Sequence, residues 1–275
     1  MQASDFSTNM PGRLVKNLDG NLTFVPNPLP GRLKWSNALG SELSTAERAL
    51  GHLMGIGLTL PNPRIAVRNF LRREAELSSR IENTFAKLSD LALFEETQSV
   101  EERVPDVREV ANNERALDFG LQAIQHRRVS ISMIKEMHRL LLREARGEEK
   151  RPGKFRNSQV HIGKTTRIEE ARFVPAPPML VPELMEQLVE YIHAPSDLPP
   201  LARSAMIHYQ FETIHPFSDG NGRIGRVLIL MLLCAEKILP LPLLNPSAFL
   251  ERNRQAYFRH LTDVSQKGAW TEWIA

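Results

Sequence analysis

The sequence predicts an all-α fold, a helical bundle carrying one β-hairpin flap and preceded by a small helical N-terminal region. Three observations carry this reading. Between Ile65 and Glu82 the residues Phe70, Leu71, Ala75, Leu77, Ser78 and Ile81 recur mostly at steps of three and four, the spacing that lines up one face of a helix. Val227 to Ala235 is a continuous apolar run, suited to a buried helix and well short of the ~20 residues that cross a bilayer. Only the stretch from Pro152 to Pro178 departs from helical spacing, alternating through Phe155, Val160, Ile162, Phe173 and Val174 as a β-hairpin does.

The elements follow in order. Residues 1 to 43 are rich in Pro, Gly and Asn, as in Pro26-Asn27-Pro28-Leu29-Pro30, and predict an extended arm. Ser44-Thr45-Ala46-Glu47 has capping-box spacing, so a short helix is expected to start there and stop before Pro61. The helix at about 65–83 should end in a left-handed Asn83, with another turn of helix resuming through Phe85, Leu88 and Leu91. Further helices are expected over Val107–Ile124, Ile131–Glu144, Pro182–His193, Pro200–Thr213, Asn221–Lys237 and Ser247–Ser265. Trp270, Trp273 and Ile274 open a last amphipathic stretch, read as core anchors of a segment truncated at Ala275. The chain thus divides into an N-terminal arm and helical region (1–100), a main domain (101–267) with its flap at 152–178, and the start of a C-terminal segment (268–275).

With 275 residues, 42% of them hydrophobic, the chain can bury a substantial core and is too apolar to be disordered. The formal charge of +3 does not imply nucleic acid, because basic residues alternate with acidic ones, as in Arg72-Arg73-Glu74 and Glu148-Glu149-Lys150-Arg151. A groove-tracking surface needs a contiguous basic face. The first twenty residues are polar, with Asp5, Asn9, Arg13, Lys16 and Asp19 and no stretch of signal-peptide type. The single Cys234 lies in the apolar run and reads as a small buried hydrophobe. The expected location is cytoplasmic, with no membrane partner.

The chemistry is concentrated in His215-Pro216-Phe217-Ser218-Asp219-Gly220-Asn221-Gly222-Arg223-Ile224-Gly225-Arg226, which leads into the apolar helix. Its glycines are poor helix formers, but they let backbone N–H groups at a helix start approach an anion. Arg223 and Arg226 sit where cations oppose the helix dipole, which implies a resident anion. Polyphosphate fits, with guanidinium groups binding phosphate oxygens and Asp219 offering a carboxylate to Mg²⁺. His215 supplies the group able to take a proton near neutral pH. His138, His208 and His260 fall on helices and read as structural, while Glu212 is placed to orient His215 or cap the loop.

This stretch resembles the Fic family motif, His-x-Phe-x-Asp/Glu-Gly-Asn-Gly-Arg-x-x-Arg, at every specified position. Ser78-x-x-x-Glu82-Asn83, the Pro152-Gly153 hairpin and Glu251-Arg252-Asn253-Arg254 lie where such proteins have them, so the resemblance covers roughly residues 25 to 275. It implies a Fic-type helical bundle and a nucleotidyltransferase that moves AMP from ATP, with Mg²⁺, onto a Ser, Thr or Tyr hydroxyl of a target protein. His215 would be the general base and Phe217 the loop anchor. Asp219 would hold the metal. Gly220, Asn221 and Gly222 would cradle the phosphates, while Arg223 would pair with the β- and Arg226 with the γ-phosphate. Asn253 and Tyr257 would line the adenosine pocket, and the flap residues Gln159, Val160, His161 and Ile162 would dock the target.

Ser78 to Asn83 further resembles the inhibitory motif Ser/Thr-x-x-x-Glu-Gly/Asn of such proteins, in which Glu82 would pair with Arg226 and displace the γ-phosphate. One guanidinium cannot serve a buried carboxylate and a phosphate at once. Asn replaces the commoner Gly at position 83, a small departure because both adopt the left-handed conformation. The alternatives are removal of AMP by the same site and a nucleotide-sensing module of low turnover. A phosphotransferase of this family would carry Lys where this chain has Gly222. The target's identity, self-modification and homodimer formation stay open.

Overall fold

A computed structural model describes the chain apart from residues 34–35, 87–88, 92–103, 146–147, 164 and 166. Two strands, β1 (Gly12–Lys16) and β2 (Leu22–Pro26), precede helices α1 (Asn37–Leu58), α2 (Pro63–Ile81), α3 (Val104–Ala123), α4 (Ile131–Leu141) and α5 (Val181–His193). Then come α6 (Pro200–Ile214), α7 (Asn221–Ala235), α8 (Pro246–Arg252), α9 (Arg254–Lys267) and α10 (Trp270–Ile274). The fold class is the expected helical one, and among the described residues its one two-stranded sheet is β1–β2 rather than the flap. By packing, the chain forms two compact units: Met1–Leu43 with Phe155–Asn221 and Gln255–Ala275, and Ser44–Lys154 with Gly222–Arg254.

In the first unit, the residues read as an extended arm instead form the hairpin, with Gly12 opposite Pro26 and Lys16 opposite Leu22. Asp19-Gly20 supplies the turn, Gly20 at φ 81°, and the Leu14-Val15 and Thr23-Phe24-Val25 runs supply the strand residues. Phe24 is fully buried, its ring 5.6 Å from Phe6 and 5.7 Å from Phe173, and its N–H donates to the Val174 carbonyl at 2.9 Å. That bond explains a second difference. The 152–178 segment pairs as a hairpin only at Ile162 and Phe173 among the described residues, with reciprocal bonds of 2.8 and 3.1 Å. Val174, expected as a flap strand residue, gives its carbonyl to β2 instead.

Helix α6 is the buried axis of this unit, with Ala202, Met206, Ile207, Tyr209, Phe211 and Ile214 all inside. Helix α10 packs against it. Trp270 meets Tyr209 edge-on at 4.9 Å, and Trp273 stacks 5.9 Å from His208 while its Nε1–H donates to the Ala205 carbonyl at 2.9 Å. Both indoles therefore tie α10 to α6.

In the second unit, α2 packs on α3 and α8, and α3 on α4. Ala75, Val107, Val110 and Ala111 form one apolar cluster with Ala86 and Leu91. A side chain at Gly120 would press on the sulfurs of Met137 and Met231, each at 2.7 Å, so glycine there permits the close approach of α3 to its neighbours. Two expectations are corrected. Helix α1 begins at Asn37 rather than Ser44, because Ser36 Oγ accepts the Leu39 N–H at 3.2 Å and supplies the cap. The single helix expected over 247–265 is two, divided at Asn253, whose φ of −108° and ψ of 28° leave the helical region. The Asn253 amide donates to the Phe249 carbonyl at 3.0 Å, competing with the helical ladder. The helix expected through Phe85, Leu88 and Leu91 falls partly on residues 87–88, outside the described ones.

Candidate active site

The loop half of the motif belongs to the first unit. His215 closes α6 with φ 51° and ψ 62°, a left-handed residue held by its N–H bond to the Phe211 carbonyl at 3.0 Å. Pro216 follows it, and a residue before proline is pushed out of the right-handed helical region. His215 Nδ1 lies 3.2 Å from the Glu212 carbonyl. A carbonyl only accepts, so Nδ1 carries the ring proton and Nε2 of the neutral imidazole keeps the basic lone pair. Glu212 thus orients the ring through its backbone.

Phe217 is fully buried with its ring 5.6 Å from Phe155, so the loop is pinned by an apolar anchor. Asn221, also buried, clamps the same residue. Its Oδ1 accepts the Phe217 N–H and its Nδ2 donates to the Phe217 carbonyl, both at 2.8 Å. The amide side chain is therefore committed to shaping the loop. Asp219 is half-buried, its Oδ1 accepting the Gly220 N–H at 2.5 Å, and Gly220 takes φ 75°, a conformation that favours glycine.

Arg156 was not singled out from the sequence. It is 2% exposed, and its guanidinium donates to four carbonyls: His215 at 2.8 Å, Ala176 at 2.6 Å, Ile214 at 3.3 Å and Ser158 at 3.4 Å. Its own N–H donates to the Pro216 carbonyl at 2.9 Å. Burial pushes the guanidinium down to about 10, still charged at neutral pH.

The helix half of the motif belongs to the second unit. Arg226 is 1% exposed and donates from Nη2 to Glu82 Oε1 at 2.8 Å, from Nε to Ser78 Oγ at 2.9 Å, and from Nη2 to the Ser78 carbonyl at 2.9 Å. Glu82 caps the C-terminus of α2, where its charge opposes the helix dipole and needs a cation. Asn83 follows at φ 63°, as expected, and its Oδ1 accepts from Arg254 Nη1 at 2.8 Å. The fit is tight at Gly222, where a Cβ would collide with the Glu82 carboxylate and lie 2.9 Å from Arg226 Nη1.

Arg223 is paired too. Its Nη1 lies 3.2 Å from Glu109 Oε2, both side chains buried, and the Thr84 hydroxyl donates to the same oxygen at 2.9 Å. Beside α8, buried Glu74 accepts from the Ser247 N–H at 3.2 Å and from the Ser247 hydroxyl. Burial raises its carboxyl to about 7, against the lowering pull of the Ser247 bonds and of the Arg226 charge. Glu74 was detectable, since it stands three residues after buried Leu71 on the apolar face of α2. Glu109 gave no comparable signal, because its partner lies 114 residues away.

The remaining expected residues are placed as follows. Gln159 Nε2 donates to the carbonyls of Val160 at 3.1 Å and Pro175 at 2.9 Å, and His161 Nε2 donates to the Thr165 carbonyl at 2.9 Å. Val160, His161 and Ile162 are half-buried. Tyr257 is buried with its hydroxyl 2.9 Å from His208 Nε2, and Asn253 is exposed at the joint of α8 and α9. Tyr257 belongs to the first unit and Asn253 to the second. His138 is buried and accepts the Gly153 N–H at 2.9 Å. Among the described residues no group of three or more His, Cys, Asp or Glu side chains could hold a metal, and no helix is long and apolar enough to cross a membrane.

The Fic/DOC family profile matches residues 128–233, and the Fic/DOC family N-terminal profile matches residues 41–122. The protein adenylyltransferase fic-1 of Caenorhabditis briggsae is 36% identical over 121 residues, 43% of this chain and 22% of that protein. A probable protein adenylyltransferase of Aquifex aeolicus (strain VF5) is 35% identical over 86 residues, 31% of this chain and 27% of that protein. The chain therefore matches about a quarter of the length of these relatives. The crystal structure of a Fic family protein from Desulfovibrio desulfuricans G20 superposes with a TM-score of 0.68 at 25% identity, covering 88% of this chain and 71% of that one. Two profiles of one family, side by side over most of residues 41–233, and the unbroken motif at 215–226 establish that this chain is a member of the Fic/DOC family.

Proposed function

We propose that the chain is a protein adenylyltransferase that moves AMP from ATP to a hydroxyl of a target protein and restrains itself through Glu82. The observation that carries this is the Arg226–Glu82 pair at 2.8 Å: the motif arginine for the γ-phosphate is held by the carboxylate of the inhibitory motif. The naming of the relatives as adenylyltransferases supports the same activity.

In this reading His215 Nε2 takes the proton of the target hydroxyl, whose oxygen attacks the α-phosphorus as pyrophosphate leaves. The N–H groups of Gly220, Asn221 and Gly222 and the Arg223 guanidinium face the phosphates. Asp219 fits Mg²⁺ that arrives with the nucleotide. Mg²⁺ is commonly held by one or two carboxylates plus substrate phosphates, and the described residues offer no all-protein cage. Such an ion would neutralise charge between the α- and β-phosphates. The flap, through Gln159 to Ile162, would receive an extended target segment by main-chain pairing.

Glu82 also supports a second reading at the same site. Its side chain is 33% exposed while that of Arg226 is 1% exposed, so the carboxylate can reach a water and direct it onto an AMP-modified protein. The test is label transfer from α-labelled ATP by wild type and His215→Ala. Loss of transfer with ATP binding retained is expected, and unchanged transfer would refute the role of His215.

A further inference from the structure

Arg156 is a buried cation for which no carboxylate partner exists among the described residues. Removing a charge from water without an opposite charge is far costlier than burying a neutral side chain, so a core selected for stability alone would not place arginine here. The position of its partners supplies a reason. Two of the acceptor carbonyls, Ser158 and Ala176, lie on the two sides of the flap, and the other two, Ile214 and His215, lead into the catalytic loop. The Arg156 N–H adds Pro216, so three successive residues, 214 to 216, are held by one side chain and its own backbone.

The central residue of that trio is the left-handed one. His215 sits at φ 51°, a conformation uncommon outside glycine that persists only where surrounding bonds determine it. The direction of its imidazole follows from that backbone, and the bond from Arg156 Nε at 2.8 Å is made to the carbonyl of this same residue.

We propose that Arg156 is a positioning residue for AMP transfer: it fixes the backbone of His215, and with it the aim of Nε2, in register with the flap segment that receives the target. This rests on the adenylyltransferase reading above. A planar fork that reaches four carbonyls is specific to guanidinium, so lysine keeps the charge and loses the geometry. Misplacing a reacting group by ~1 Å costs on the order of a hundredfold in rate, whereas the nucleotide contacts of Gly222 to Arg226 do not pass through Arg156.

The test uses the Glu82→Gly chain as parent, Mg²⁺ and α-labelled ATP, reading self-labelling rate against ATP concentration. Arg156→Ala and Arg156→Lys should lower the saturating rate at least about thirtyfold while the half-saturating ATP concentration stays within about twofold. Millimolar guanidinium ion should restore part of the rate to Arg156→Ala and none to Arg156→Lys. Should Arg156→Ala not fold, Arg156→Lys carries the measurement. A folded Arg156→Lys labelling within threefold of the parent overturns the inference, as does a rate loss that only tracks the unfolded fraction. If the parent takes no label, or His215→Ala in the parent labels equally, the adenylyltransferase reading falls and this inference with it.

Discussion

Replacing Glu82 by glycine tests the restraint directly, and the structure sets its size. Arg226 donates to the Glu82 carboxylate at 2.8 Å and to the Ser78 hydroxyl and carbonyl, each at 2.9 Å. Only the first is removed. A hydrogen bond to a charged group contributes about 1.5 to 3 kcal/mol, and the one-third exposure of Glu82 places it toward the lower end through solvent screening. Because ~1.4 kcal/mol is tenfold in rate, releasing Arg226 to the γ-phosphate should raise AMP transfer by at least about tenfold. The two Ser78 bonds persist in the variant, which keeps the guanidinium near its present place. The assay is label incorporation from α-labelled ATP by wild type, Glu82→Gly and Glu82→Gly/Arg226→Ala, into the chain itself and into lysate proteins. The double variant should lose the gain, since the freed guanidinium produces it. A Glu82→Gly protein that binds ATP yet transfers no faster than wild type would refute the restraint, and loss of AMP removal in that variant would favour the reverse reaction.

Three further outcomes are expected. Asp219→Ala should abolish transfer together with its dependence on Mg²⁺, and transfer that persists in chelator would exclude the metal role. Val160→Pro removes a backbone N–H from the flap and should impair modification of a target protein more than ATP affinity, as separate titrations of the two would show. Burial raises the Glu74 carboxyl in the folded state to about 7 from its ordinary 4.5, so the native state binds the proton more tightly. Its contribution to stability is full below about 4.5 and is lost as pH rises through about 7. Denaturant titrations of Glu74→Gln should therefore show a flatter decline of stability across that interval than wild type, and an identical slope would remove Glu74 from the account.

Helices α2, α5, α6 and α7 were legible because their apolar spacing or their prolines state the answer locally: Pro63, Pro182 and Pro200 each stand at a helix start. The motif loop was legible for the same reason, since residues 215 to 226 are consecutive. What sequence did not reveal depends on distant partners. The cap of α1 lies in Ser36 rather than in the better-looking Ser44, because capping strings are common and packing chooses among them. Among its described residues the flap forms one bridge, Ile162–Phe173, and β2 takes the Val174 carbonyl, a choice that alternation within 152–178 cannot express. Arg156 and Glu109 are ordinary charged residues in the string, and their burial becomes meaningful only with partners 59 and 114 residues away.

Gly222 has a consequence for how this protein can vary. The space a methyl group would occupy is filled by the Glu82 carboxylate, and the same absence of a side chain would let phosphate approach the N–H groups at the start of α7. In the proposed function one missing Cβ would thus serve the restrained and the working arrangement alike. If Glu82 restrains transfer as proposed, a mutational route to a constitutively active chain would be open at Glu82 and closed at Gly222, because alanine there would evict the carboxylate and would crowd a bound nucleotide in the same step. On the restraint proposed above, one change at the C-cap of α2 would release Arg226, whereas a change from the motif side at Gly222 would also damage the part being restrained.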